Sequence, residues 1–144
     1  MRVVVQKCLK ASVTIDTKIY NEIEKGYMLL VAFTQEDNSN KIDWMVNKIT
    51  NLRIFEDQNN VMNLSILDVK GAVLSISQFT LYGDATNGNR PSYSKALNGA
   101  EAINLYEEFN NKLNKLVPTK TGIFGSDMKV ELINNGPTTI ILEK

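Results

Sequence analysis

The stretch GYMLLVAFTQEDNSNKIDWMVNKITNLRIF, residues 26–55, changes its apolar spacing halfway along. From Gly26 to Thr34 the apolar residues are almost continuous, over a length that suits one strand. Beyond it they recur as Ile42, Met45, Val46, Ile49 and Leu52, one face of a helix of about three turns. Ser39 stands where the N-cap is needed. A strand followed by an amphipathic helix fits several folds, and the flanking segments decide between them.

On the N-terminal side, residues 1–7 and 11–16 carry Val-rich alternation and predict, with the apolar run, an opening β-meander. On the other side, GAVLSISQFTLYG (residues 71–83) returns to period two. GAEAINLYEEFNNKLNKLV (residues 99–117) then places Ala102, Leu105, Tyr106, Phe109, Leu113 and Leu116 on a second helical face that stops before Pro118. TKTGIF, MKVELI and TTIILE read as three terminal strands. Within the closing VELINNGPTTIILEK, residues 130–144, two short strands flank a turn that Asn135-Gly136 would make unaided, which leaves Pro137 unexplained. Strand-dominated order with two isolated helices predicts one α+β domain over residues 1–144 with a mainly antiparallel sheet.

Composition narrows the chemistry. Among 144 residues there is no histidine and a single cysteine, Cys8. Ser-His-Asp and Cys-His catalysis are thereby excluded, a zinc site is disfavoured, and no internal disulfide can form. The 16 basic and 16 acidic residues cancel, so no long-range field draws in polyanions. No apolar run approaches the roughly 20 residues that span a bilayer, and the N-terminus is unlike a secretory signal. The expectation is a cytoplasmic protein without a membrane partner, a metal or a cofactor.

Strand alternation through LSISQFT puts Gln78 and Thr80 on the same inward face as Leu74 and Ile76, where an amide and a hydroxyl need hydrogen-bond partners from the protein or from a ligand. Thr80 would serve as a nucleophile only with an activator, for which Lys7 and Lys70 are the candidates. GDATNGNRPS reads as a long surface loop ending near Arg90. Lys112, Lys115 and Lys120 form a basic cluster that is either a solvated helix end or a phosphate contact. The glycines of GIFGSDM bracket Phe124 and read as a strand bend.

Six segments, at these spacings, closely resemble the D-aminoacyl-tRNA deacylase family: NLRIFED (51–57), MNLSILDVKG (62–71), SQFTLYGD (77–84), GNRPS (88–92), TGIFGSDM (121–128) and NNGPTT (134–139). The resemblance covers essentially the whole chain and implies an α+β fold with a mainly antiparallel, barrel-like core and two principal helices. It implies hydrolysis of the ester between tRNA and a D-amino acid, or glycine mischarged on tRNA(Ala), by a homodimer with sites at the subunit interface. Ser77, Gln78, Phe79 and Thr80 would line the pocket, with Gln78 and Thr80 nearest the chemistry, and Phe124 and Met128 would flank the terminal adenosine. Gly136 and Pro137 would form a cis Gly-Pro pair that enters the partner's pocket and excludes L side chains. The tRNA 2′-hydroxyl would assist, although the threonine has also been considered as nucleophile. Lys7 replaces a frequent arginine, Ser126 a usual alanine, and Asn135 a common aspartate. Two other readings compete: a nucleic-acid-binding module without catalysis, and a Thr80-dependent hydrolase of small esters.

Overall fold

The computed structural model describes residues 1–144. The elements are β1 (Arg2–Ile15), β2 (Lys18–Ile23), β3 (Gly26–Ala32), α1 (Ser39–Asn51), β4 (Phe55–Glu56), β5 (Met62–Leu64), β6 (Ala72–Ser77), α2 (Gly99–Asn114), β7 (Thr119–Thr121) and β8 (Lys129–Glu143). A single 3-10 turn, Phe79–Tyr82, follows β6. No helix is long and apolar enough to cross a membrane.

The N-terminal strands do not form a meander. β1 lies between its partners, with β3 antiparallel to residues 2–8 and β2 antiparallel to residues 11–15 on one flank, and β8 antiparallel along the other. The two predicted strands are thus one long strand that bends near Leu9 and Lys10, where its register against β8 shifts. The bend lets β1 serve two cores. Val3 and Val5 join the larger one with both helices, while Cys8, Ala11 and Val13 join a smaller one on the other face.

β3 and β6 are buried on both faces, which explains the unbroken apolar run of β3. Tyr27, Leu29, Val31 and Val73 face the larger core, and Met28, Leu74 and Ile76 the smaller. Each such aliphatic side chain contributes about 1.5–3 kcal/mol when fully buried. The β3–β6 and β6–β7 pairs are parallel because α1 and α2 each carry the chain back to the end from which the preceding strand began. Antiparallel pairing still dominates, and Asn21 Nδ2 donates to the Thr121 carbonyl at 2.7 Å, drawing β2 towards β7 into a nearly closed barrel.

α1 buries Ile42, Met45, Val46 and Ile49 as its spacing predicts. Its N-cap is Asn38, whose Oδ1 accepts from the backbone of Asn40 and Lys41. Ser39 Oγ instead donates to Glu108 on α2. α2 buries Ala102, Tyr106, Phe109 and Leu113, but it ends at Asn114, so Leu116 lies past it and is exposed.

The C-terminal segment is not a hairpin. Lys129–Asn134 and Thr139–Glu143 run in the same direction along β1, with Cys8 opposite Asn134 and Gln6 opposite Thr139. Lys7 alone therefore spans the gap that residues 135–138 fill, and the extra backbone is pushed out of the sheet as a bulge.

Candidate active site

β6 ends at Ser77, three residues short of the Thr80 to which its alternation runs. The Gln78 amide still donates to the Val31 carbonyl at 2.8 Å, and then the chain coils into the 3-10 turn, closed by Gly83 N–H on the Thr80 carbonyl at 2.9 Å. The inward placement expected of Gln78 and Thr80 fails for this reason: Gln78 is half-buried, and Phe79 and Thr80 are exposed. Gln78 Nε2 donates to Thr80 Oγ1 at 2.5 Å, so the two side chains satisfy each other. An amide cannot accept the proton that a nucleophilic threonine must lose. Lys7 Nζ is engaged with Glu56 Oε1 at 2.5 Å, and Lys70 lies before β6 while Thr80 lies after it, about 20 Å away at the usual strand rise.

The strand end opens onto a cavity of about 640 Å³. Ser77, Gln78 and Phe79 form one wall, and Phe124 and Met128 the other. Gly125, at φ 76°, makes the turn that presents Phe124, and Gly122 permits close approach because a Cβ there would collide with Met128 Sδ. Phe124 packs against Tyr106, with ring centroids 5.8 Å apart. Five of the eight site residues expected from the sequence are thus brought together, while Thr80, Gly136 and Pro137 lie outside this cavity.

Sequence reasoning missed Tyr93 and the Asn98–Gly99 start of α2, which complete the cavity. Tyr93 meets Phe79 edge to face with centroids 5.1 Å apart, and only the loop fold brings them together. Asp84 anchors that loop: its backbone pairs with Ser92 at 2.8 Å in both directions, and its carboxylate meets Lys95 at 3.0 Å. Hydrogen bonds from Thr86, joined by Lys95, hold the Asp84 carboxyl well below the usual carboxylate range. Arg90 is exposed on the same loop.

The proposed basic cluster dissolves. Lys112 is bound to Asp43 at 2.5 Å and Glu108 at 2.8 Å, and these bonds raise its pKa. Its charge is neutralised between the helices, leaving Lys115 and Lys120 without it.

The bulge of β8 is closed at its base by Asn134, whose Nδ2 donates to the Lys7 carbonyl at 2.9 Å and to the Thr138 carbonyl at 3.0 Å. Thr139 Oγ1 donates to Asn134 Oδ1 at 3.3 Å. Beyond this clasp the Gly136–Pro137 peptide is cis and both residues are exposed. Beneath the bulge Lys7 is fully buried, and its bond to Glu56 lowers the pKa of that carboxyl.

The ladder fixes where bulge and cavity stand in one chain. Ser77, Val31, Val3 and Leu142 lie in one cross-strand row, whereas the bulge shares a row with Lys7, Tyr27 and Val73. Three strand spacings and four residues therefore separate them, about 14 Å across the sheet and about 13 Å along it.

Comparison with known proteins agrees with this architecture. Residues 4–143 match the family described as D-Tyr-tRNA(Tyr) deacylase. A D-aminoacyl-tRNA deacylase of Limosilactobacillus reuteri (strain DSM 20016) is 51% identical over 145 aligned positions covering 100% of both chains. One from Flavobacterium psychrophilum is 52% identical over 99% of this chain and 97% of its own. A solved structure of a c-Myc DNA unwinding element binding protein superposes with a TM-score of 0.95 at 36% identity, covering 100% of this chain and 99% of that one. With a family match across nearly the whole length and relatives at half identity end to end, the chain belongs to the D-Tyr-tRNA(Tyr) deacylase family.

Proposed function

We propose that this protein hydrolyses the ester linking a D-amino acid to the 3′ end of tRNA, proofreading the chirality of aminoacyl-tRNA in the cytoplasm as a homodimer. Glycine mischarged on tRNA(Ala) is a further substrate in this reading. The aminoacyl-adenosine end enters between the Ser77–Phe79 wall and the pair Phe124 and Met128. The partner's Gly136–Pro137 bulge closes the pocket over the chiral centre, where its backbone leaves no room for an L side chain. Selection by exclusion suits a peptide backbone, since a carbonyl held by a clasped loop cannot rotate away as a side chain can.

The observation that carries the proposal is the separation of bulge and cavity within one chain. The bulge is built with its own clasp yet projects from an edge strand, far across the sheet from the cavity that holds Ser77, Gln78, Phe79, Phe124 and Met128. Two copies related by a two-fold axis can bring one copy's bulge to the other's cavity and cover the exposed edge.

The chemistry asks little of side chains. An aminoacyl ester is already activated, so positioning and oriented backbone N–H groups supply most of the acceleration, with the 2′-hydroxyl of the terminal ribose taking part. A chain without histidine is adequate to that task. Thr80, bonded to an amide and lacking a proton acceptor, orients Gln78 and does not attack.

Nucleic-acid binding without catalysis is the second reading, favoured by the solved relative named for binding a DNA unwinding element. The zero net charge and the neutralised Lys112 weigh against it. Hydrolysis of matched D- and L-tyrosyl-tRNA decides: release from the D form alone supports the proposal. Equal rates on both, or tRNA binding with no release, would refute it.

A further inference from the structure

β6 loses its neighbour just before it reaches the cavity. β7 pairs with it only as far as Ser75, opposite Thr121, and Gly122 gives one last N–H to the Ser75 carbonyl at 3.1 Å. Past that rung the chain leaves the strand for the turn that carries Phe124. α2 reaches β6 at this last rung. Tyr106 Oη donates to the same Ser75 carbonyl at 2.7 Å in a fully buried bond. Ser75 Oγ and Asn110 Oδ1 are buried without a hydrogen-bond partner, in a helix–sheet contact that apolar residues would otherwise fill. The Tyr106 ring, on its other side, supports Phe124.

A buried hydrogen bond from a side chain to a strand carbonyl fixes the backbone at that rung, and Ser75 stands two residues before Ser77 on the cavity wall. We propose that Tyr106 is a positioning residue: its hydroxyl pins the Ser75 carbonyl at the last rung of β6 and so steadies the Ser77–Gln78 segment that follows, while its ring backs Phe124. One side chain thereby sets the distance between the two cavity walls. The inference rests on the cavity being the site of the aminoacyl-adenosine end. Tyr106 does not line the cavity and does not touch substrate.

Tyr106→Phe keeps the ring and removes the hydroxyl. The expected result is an enzyme with one cooperative thermal transition whose KM for D-tyrosyl-tRNA rises about five- to tenfold, the effect of one hydrogen bond. KM is insensitive to the folded fraction, so a purely structural role would leave it unchanged. Tyr106→Leu, which also withdraws support from Phe124, should raise KM further. Amide hydrogen exchange gives an independent readout: Ser77 and Gln78 should exchange faster in Tyr106→Phe while Val73 and Leu74 keep their protection. An unchanged KM, or an activity loss that merely tracks the folded fraction, overturns the proposal, as does exchange that speeds up uniformly along β6. If the unaltered protein fails to hydrolyse D-tyrosyl-tRNA, the functional reading falls, and the exchange comparison still decides the role of Tyr106.

Discussion

Ser77 ends a strand buried on both faces, with Leu74 and Ile76 beneath it and Tyr106 at its side, whereas Gly136 and Pro137 leave an edge strand whose inward residues are only half-buried. The cavity wall is held by the core; the bulge is held by one asparagine and its few hydrogen bonds. A wall that must stay fixed is built where packing is tight. The bulge stands where backbone can leave the sheet at small cost in packing. The two regions are therefore expected to respond differently to substitution.

The largest effect is expected at Gly136. Its φ of 119° disfavours any side chain, and an added Cβ would lie 2.7 Å from Thr138 N. Gly136→Ala should lower D-tyrosyl-tRNA hydrolysis by about 100-fold or more, the scale of a misplacement near 1 Å, at a cost of about 1–3 kcal/mol in stability from the strained φ. Phe124→Ala damages the opposite region. If bulge and cavity meet across a two-fold axis, co-expressed Gly136→Ala and Phe124→Ala chains should recover about a quarter of full activity, because half the dimers are mixed and each holds one intact site. No recovery would show that the two regions act within one chain.

Asn134→Ala should come next. It opens the clasp and leaves the Lys7 and Thr138 carbonyls without that donor, costing about 1–2 kcal/mol in denaturant unfolding. Discrimination between D- and L-tyrosyl-tRNA should fall with it, by about tenfold if the interactions lost are of that size. Unimpaired discrimination would mean that the bulge keeps its shape without the clasp.

Acid should act on the cavity side first. The Asp84 carboxyl is depressed in the folded state by Thr86 and Lys95, so its contribution is fully present above the unfolded value of about 3.9 and is lost as pH falls through the lower folded value. Amide protection at Thr86 and Ser92 should therefore decline below about pH 4, before that of Thr139 and Ile140, since Asn134 carries no titrating proton. Simultaneous loss at both places would point to global unfolding. The smallest effect is expected from Thr80→Ala, with single-turnover hydrolysis within about twofold of normal because no group bonded to Thr80 can take its proton. A complete loss with an intact fold would make Thr80 the nucleophile.

Much of the fold was legible because apolar spacing reports burial directly. The alternation of Ile42, Met45, Val46 and Ile49, and of Ala102, Tyr106, Phe109 and Leu113, located both helices. Errors fell where hydrogen bonding overrides spacing. Period two in LSISQFT continues past the point at which Gln78 breaks into a 3-10 turn, and two apolar segments around Asn135-Gly136 look like a hairpin whether they pair with each other or both with β1. Lys112 looked like a free cation until α1 brought Asp43 beside it. Tyr93 carried no signal at all, since its meeting with Phe79 depends on where a long loop returns.

The sequence by itself determined the absence of histidine chemistry, the α+β class and the segments that place the chain in its family, because composition and local periodicity are properties of the chain alone. The tertiary structure decided that Pro137 belongs to a bulge clasped by Asn134 and not to a turn, that Ser77 and Phe124 face each other across one cavity, and that Tyr106 joins their supports. Those are relations between segments as much as 127 residues apart, and only strand register and packing, which involve the whole chain, can fix them.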